Sequence, residues 1–561
     1  MLKRPGAHAL MIIFCFPLVV ILLLSACAPS TAPSRPQSGT ARPVRGGTWI
    51  DDLNEEPTSL IPGASPQATA AIVDQAIYAP LFYGDEDGVL HPGLAAEIPT
   101  VANGEVSPDL TTWTFHLRPG LKWSDGQPED ARDVDFTWRL WLNPKFPIVS
   151  TVGVNLITSA VVSPDHLAIT FHLKQGFEPF LAVWADAAAA PLPAHLFSRI
   201  APDALVQSTE NLDPSVTSGP FMMAESKPGD HYTVVRNPNY YQAAQGYPYL
   251  DRIIFRAVRN QRTILADLQT GAIDSAWNLD VATTPTYKRL SNYTLSFNPK
   301  STNFEAMYLD FHIPILSRHP EVRRAMAMAI DHQALIQTAR HGQATLLCTD
   351  HAAALVPGYQ PNAPCPPFDV QAANALLDQY GWVKGEDGVR AKGGQRLEFQ
   401  YSTTNGSQWR LDTELILQQD FKAIGIKIDI QNYPASTLIA TVPQGKYDLL
   451  EFEASFAYDG DDSLLFACNQ LPPNGFNISF YCNHRLDALF IEEQQTADPT
   501  RRQQLFDQIH QIYLTDFPFI TLFSPVDLAM HKKLAHNYMP GPEGAAEDNM
   551  VWLWWCDGGQ C

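Results

Sequence analysis

A helical run from Leu411 to Ile424, stopped by Gly425 and followed at once by the strand-like Ile426-Lys427-Ile428-Asp429-Ile430, constrains this fold more than any other feature. A helix ending on glycine with a strand directly behind it is what layered α/β architectures require, because each helix lays an apolar stripe on a sheet. The alternation recurs. Trp113-Thr114-Phe115-His116-Leu117 alternates in strand fashion before the turn Arg118-Pro119-Gly120. Leu121-Lys122-Trp123 and the turn Ser124-Asp125-Gly126 follow. Asp130 and Asp133 then mark a helix start, with Val134, Trp138 and Trp141 at helical spacing behind it. Pro320 to Ile330 predicts a further helix, and Asp331 caps the next one through Leu335 and Ile336. With 561 residues, several domains are expected.

At the N-terminus, Lys3 and Arg4 precede an almost unbroken apolar run from Leu10 to Leu24, closing in Leu24-Ser25-Ala26-Cys27. The run is about 15 residues, short of the roughly 20 that span a bilayer as a helix. It reads as an export signal, the alternatives being an uncleaved anchor or an ordinary secretory leader. The pattern resembles a bacterial lipobox. That resemblance implies cleavage before Cys27, lipidation of that cysteine, and a body anchored on the extracytoplasmic face of the cell membrane, periplasmic or cell-surface. Ala28 to Arg45 is rich in Pro, Ser, Thr and Ala and is expected to be a disordered tether. Its 18 residues reach at most about 60 Å. Order should begin at Gly46 to Ile50.

Formal charge is −21. Such an acidic body repels phosphate backbones, so nucleic acid is not an expected partner, whereas a cationic or zwitterionic ligand is compatible. Eight cysteines are present, Cys15 and Cys27 in or at the end of the leader. The other six fall in local pairs: Cys348-Cys365, Cys468-Cys482 and Cys556-Cys561. An even set in an exported chain fits disulfides, and adjacent pairing is the simplest connectivity. A metal site is the competing reading, but no CxxC or HExxH spacing occurs, and neither a metal nor a cofactor is expected.

Residues Leu90 to Trp138 contain LHPGLAAEIP and then WTFHLRPGLKWSDGQPEDARDVDFTW. These blocks resemble extracellular solute-binding protein family 5, the dipeptide- and oligopeptide-binding proteins of ABC importers. GGTWIDDLNEEPTSLIP at Gly46 is similar to the family's opening strand, and TSGPFMMAESKPGDHYTVVRNPNYY at Thr217 to its Gly-Pro-aromatic block. YLDRIIFRAVRNQRTILADLQTGAIDSAW at Tyr249, HPEVRRAMAMAIDHQALI at His319 and FKAIGIKIDI at Phe421 continue the resemblance in order. It implies a periplasmic-binding-protein type II clamshell: two discontinuous α/β lobes plus an additional domain inserted in lobe I. Lobe I would comprise 46–82, 185–305 and the C-terminal return 527–561. The inserted domain would be 83–184 and lobe II 306–526.

A peptide-binding cleft must neutralise an α-amino group, and a buried carboxylate is its natural partner. Tyr447 to Ala454 reads as a strand running into Ser455-Phe456-Ala457-Tyr458-Asp459-Gly460-Asp461-Asp462, and α/β sheets bind ligands beyond the carboxyl ends of their strands. Peptide-binding members have a similar aromatic–x–x–Asp–x–x–Asp–Pro stretch, whose first Asp holds the ligand amine. The resemblance thus assigns that role to Asp459 and the second position to Asp462. Ser463 replaces the proline, a departure from the pattern. A solvated acidic turn is the alternative. Trp409 and Tyr458 offer flat faces for a cleft or, equally, for a core. Arg410 is the nearest candidate for a ligand carboxylate.

The expected function is therefore capture, not catalysis: a monomeric binding lipoprotein delivering peptides to ABC permease subunits by lobe closure. Two alternatives keep the fold. One changes the cargo to a metal chelate, an oligosaccharide or an opine-like compound; the other makes the chain a tethered ligand receptor. A hydrolase is disfavoured, since GxSxG, SxxK and HExxH are absent.

Overall fold

The computed structural model describes residues 42–561 except 86–88, 186, 299–301, 353–357, 361–364, 456–458, 473–474 and 539–549. The leader, Cys27, residues 28–41 of the tether and Tyr458 lie outside the described residues.

Two mixed sheets organise the chain. The first runs in the order Tyr293–Asn298, Asp527–Lys532, Ser275–Ala276, Thr48–Leu53, Arg252–Ala257, His231–Arg236, Phe221–Lys227. Thr48–Leu53 is parallel to both neighbours, and the outer pairs are antiparallel. The second runs Ala344–Thr345, Phe519–Pro525, Asn303–Leu309, Leu449–Ser455, Glu398–Ser402, Lys427–Ile430, with Glu398–Ser402 parallel to both neighbours.

Both sheets are covered on both faces. Phe304, Ala306 and Tyr308 join one apolar cluster while Met307 and Leu309 join another, as the two-residue period of a strand dictates. In the first sheet Leu528 and Met530 likewise face away from Ala529. Double coverage is why Asn303–Leu309 and Phe519–Pro525 are buried along their whole length.

A third sheet, Thr112–His116, Ala168–Leu173 and Ile157–Val162, is antiparallel and falls in sequence between two strands of the first sheet. Helix Ala131–Trp141 packs against it. The helix starts where the sequence predicts: Asp130 accepts from the Arg132 amide, and the Asp133 side chain returns to the Asp130 amide, a complete capping box. The core of this unit is aromatic. Phe171 lies 5.4 Å from Phe180 and 5.6 Å from Trp184, ring centre to ring centre.

The predicted helices at 320 and 411 are present as Pro320–Ala329 and Gln408–Ala423. The second begins at Gln408, so Trp409 and Arg410 sit on its first turn instead of ahead of it. Gln408 and Arg410 interrupt the apolar period in that turn, which is why the sequence pattern places the start late. Cys348 is bonded to Cys365, Cys468 to Cys482 and Cys556 to Cys561, with Cα–Cα separations of 5.0, 4.7 and 5.5 Å. Among the described residues no helix is long and apolar enough to cross a membrane.

The chain passes between the two large sheets twice. It leaves Tyr293–Asn298 for Asn303–Leu309, and returns from Phe519–Pro525 to Asp527–Lys532 with Val526 alone between the strands. Short paired crossovers of this kind suit hinge closure.

Candidate ligand-binding cleft

A cavity of about 360 Å³ lies between the inserted unit and the loop that follows strand Leu449–Ser455. Its two walls differ in chemistry. Trp141, Ile148, Val152, Phe177 and Val183 form the apolar wall, and Asp459 and Asp461 bring carboxylates to the other. Trp141 is held by stacking on Trp184 at 5.2 Å and by Gly63, whose left-handed backbone (φ +86°) leaves no room for a Cβ beside the indole. The acidic wall arrives at the carboxyl end of a sheet strand, as α/β topology favours.

Asp459 is paired within the protein. The Arg502 guanidinium donates Nη1–H to Asp459 Oδ2 at 2.6 Å and Nη2–H to Oδ1 at 2.7 Å, a bidentate bond. Nη1 also donates to Glu178 Oε2 at 2.6 Å, and Nε and Nη2 donate to Glu493 Oε2 at 2.9 and 2.8 Å. All five N–H groups of Arg502 are used, and its side chain is 3% exposed. Glu178 opens the short helix Glu178–Trp184 on the inserted unit, whereas Arg502 lies on helix Pro499–Asp516 beside the second sheet. One guanidinium therefore ties both sides of the cavity together.

Acid outnumbers base here. Glu178, Asp459, Asp461 and Glu493 surround a single guanidinium. Burial would raise Asp459, but the Arg502 charge and its hydrogen bonds win and hold it below the usual carboxylate range. The other three go the opposite way. Burial, then the Asp459 charge, pushes Glu178 up to about 8 against the pull of Arg502. Burial dominates at Asp461 and Glu493 too, raising both.

The remaining predicted residues lie elsewhere. Asp462 is fully buried and accepts from the Tyr513 hydroxyl at 2.6 Å, turned into the protein instead of lining the cavity. Arg410 donates to Thr404 Oγ1 at 2.5 Å and Glu305 Oε2 at 3.2 Å. Trp409 packs on Phe523 at 5.9 Å, with the guanidinium carbons of Arg340 and Arg410 4.7 and 4.6 Å from its ring centre. It also touches the apolar cluster of Leu528 and Met530, beside the chain crossover. Sequence reasoning missed Arg502, Glu178 and Glu493. One signal was available: on helix Pro499–Asp516, Arg502 and His510 occupy the same buried stripe as Leu505, Phe506, Ile509 and Tyr513. A charge at an apolar position of a helical period marks a buried partner.

A model of the bacterial extracellular solute-binding proteins, family 5 Middle, matches residues 89–474. The chain belongs to that family. Among its family 5 relatives, the oligopeptide-binding protein AppA of Bacillus subtilis is 24% identical over 538 residues, covering 93% of this chain and 95% of that protein. The structure of B. subtilis AppA in complex with a nonapeptide superposes with a TM-score of 0.80 at 21% identity, covering 92% of this chain and 100% of AppA. NikZ of Campylobacter jejuni in complex with Ni(L-His) gives 0.79 at 22% identity, over 90% of this chain and 99% of NikZ. The fold is accordingly the family 5 clamshell: two discontinuous α/β lobes and an additional domain inserted in the first.

Proposed function

We propose that this family 5 protein captures a short peptide by its α-amino group in the cavity between Asp459 and the apolar wall, then hands it to the permease of an ABC importer. The observation that carries the reading is the excess of carboxylates around Arg502, two of which, Asp459 and Asp461, line an otherwise apolar cavity. An ammonium entering between Glu178 and Asp459 offsets that excess with charge-assisted hydrogen bonds. The wall of Trp141, Val152 and Val183 suits an apolar first side chain. About 360 Å³ stands at the low end of small-molecule sites, roughly 300–1,000 Å³, which favours a short peptide.

Capture is non-catalytic and proceeds by closure of lobe II, 306–526, on lobe I, 46–82 with 185–305 and 527–561, with the inserted domain 83–184 carrying the apolar wall. Membership of the two large sheets supports the return at 527 but moves the start of lobe II back from 306 to 303, because strand Asn303–Leu309 belongs whole to the second sheet. The protein works as a monomer outside the cytoplasmic membrane, lipidated at Cys27, where its three cysteine pairs stay oxidised.

The test compares one peptide in two forms. A dipeptide or tripeptide with an apolar first residue should raise the melting temperature, and its N-acetylated form should not. Equal stabilisation by both forms removes the amine from recognition. Native mass spectrometry of the purified protein adds a second check: a trapped peptide mixture fits the reading, and a trapped metal chelate, sugar or opine overturns it.

A further inference from the structure

We propose that Asp350, His351 and His510 form a buried zinc site that braces the acidic wall of the cleft from behind. The three residues come from distant parts of the chain and are all fully buried. His351 Nδ1 lies 3.1 Å from Asp350 Oδ1 and 2.9 Å from His510 Nε2, and His510 Nε2 lies 3.4 Å from the same carboxylate oxygen. Ligand atoms about 2.0–2.1 Å from a tetrahedral zinc sit about 3.3 Å apart, so this triangle matches three corners of such a site. The two imidazole rings are tilted by 58°, so they converge on one point without stacking.

The proton positions agree. His351 Nε2 is 2.7 Å from the Gly460 carbonyl, which can only accept, so Nε2 carries a hydrogen and Nδ1 is the atom turned towards Asp350 and His510. A ligating histidine that donates its other N–H to a backbone carbonyl is the usual outer shell of a metal site. A second observation points the same way. The buried Asp350 carboxylate faces a second buried carboxyl, Asp462, and neither pairs with lysine or arginine among the described residues. Two buried carboxyl groups with no lysine or arginine beside them make a cation at this point favourable. Two imidazoles and one carboxylate form a borderline donor set that suits zinc better than calcium or magnesium. Water fills the fourth position.

The ion would join three pieces of lobe II. Asp350 and His351 follow Cys348, which is bonded to Cys365; His510 lies two turns beyond Arg502 on helix Pro499–Asp516; and Gly460 lies between Asp459 and Asp461. Both halves of the Arg502–Asp459 pair therefore rest on it. The site is independent of which cargo the cleft takes.

Because the ligands are buried, loading is tested by refolding the full-length protein from urea with Zn²⁺ or with EDTA, then desalting. The expected result is about one zinc per chain by mass spectrometry and a melting temperature several degrees above the EDTA-treated protein. Cobalt refolding should give the visible absorption of a tetrahedral site. His510→Gln and Asp350→Asn should each abolish retention, and His484→Ala, at the exposed cluster of Cys468, Cys482 and Asp487, should leave it unchanged. No retained zinc in the wild type overturns the proposal. So does full retention in either His510→Gln or Asp350→Asn, or loss in His484→Ala. Should both buried-site variants fail to fold, the wild-type zinc content and cobalt spectrum still decide it.

Discussion

Two buried arginines in the second lobe each gather carboxylates, and they do different work. Arg410 pairs with Glu305, has Glu451 and Glu453 nearby, and stacks on Trp409, with every ion-pair partner on strands of the same sheet. Arg502 pairs with Asp459 and Glu493 on its own side and with Glu178 across the cavity. Burial raises Glu305 to about 7 even though Arg410 opposes it, so the desolvation logic of the two clusters is alike. What separates them is reach. A cluster confined to one lobe is a strut, because opening the lobes leaves it intact. A cluster shared by both sides changes its solvation whenever the cleft opens or fills, so ligand charge can be exchanged for it.

The most severe break is removal of each arginine. Either substitution, Arg502→Ala or Arg410→Ala, leaves buried carboxylates uncompensated and should lower unfolding stability by about 3–5 kcal/mol. Peptide binding should distinguish them. Arg502→Ala is expected to lose measurable peptide-induced stabilisation, whereas folded Arg410→Ala binds within about threefold of wild type, under roughly 0.7 kcal/mol. Loss of binding in Arg410→Ala alone would reverse the assignment.

A gentler pair of changes keeps shape and removes charge. Asp459→Asn should weaken peptide affinity by about 10–150-fold, the equivalent of one charged hydrogen bond of roughly 1.5–3 kcal/mol. Glu305→Gln should leave affinity within about twofold, since it keeps an acceptor for Arg410 and touches no ligand. Titration calorimetry with a single tripeptide reads both, and equal losses would make the two clusters one electrostatic unit.

The sequence made the frame legible and the electrostatics largely not. The capping box at Asp130, the helix at Pro320 and the strand after Gly425 are local signals, written within a few residues and realised as such. The strand end singled out the acidic loop, and the family resemblance singled out Asp459 within it. Its partners could not be singled out: Arg502 is 43 residues away and Glu178 is 324 residues from Arg502, so only the folded sheets bring them together. Arg410, the candidate for a ligand carboxylate, is engaged by Glu305. The apolar wall was hidden for another reason, since Trp141 reads as a core residue from helical spacing alone.

The smallest expected effect tests the proton store that sets the Arg502 cluster apart. Glu178 titrates near 8 in the unliganded protein, and a ligand ammonium beside it favours its ionised form. At pH 6 to 7 the free protein holds this proton, so binding must release it, and affinity should rise with pH. The rise should end near pH 8, where Glu178 is already ionised and the ligand amine, with an ordinary value of about 7.7–8.0, begins to lose its own charge. Glu178 shifts stability in the same window. The folded state holds the proton more tightly than the unfolded chain, so the unliganded protein loses stability as pH climbs from the ordinary glutamate range towards 8. Asp459, held low, contributes nothing to either slope there. Calorimetry at pH 7 in two buffers of different ionisation enthalpy should therefore count up to about one proton released by the wild type and none by Glu178→Gln. Undiminished release from Glu178→Gln would move the stored proton to Glu493 or Asp461, keeping the cluster but placing its exchangeable charge entirely on the second lobe.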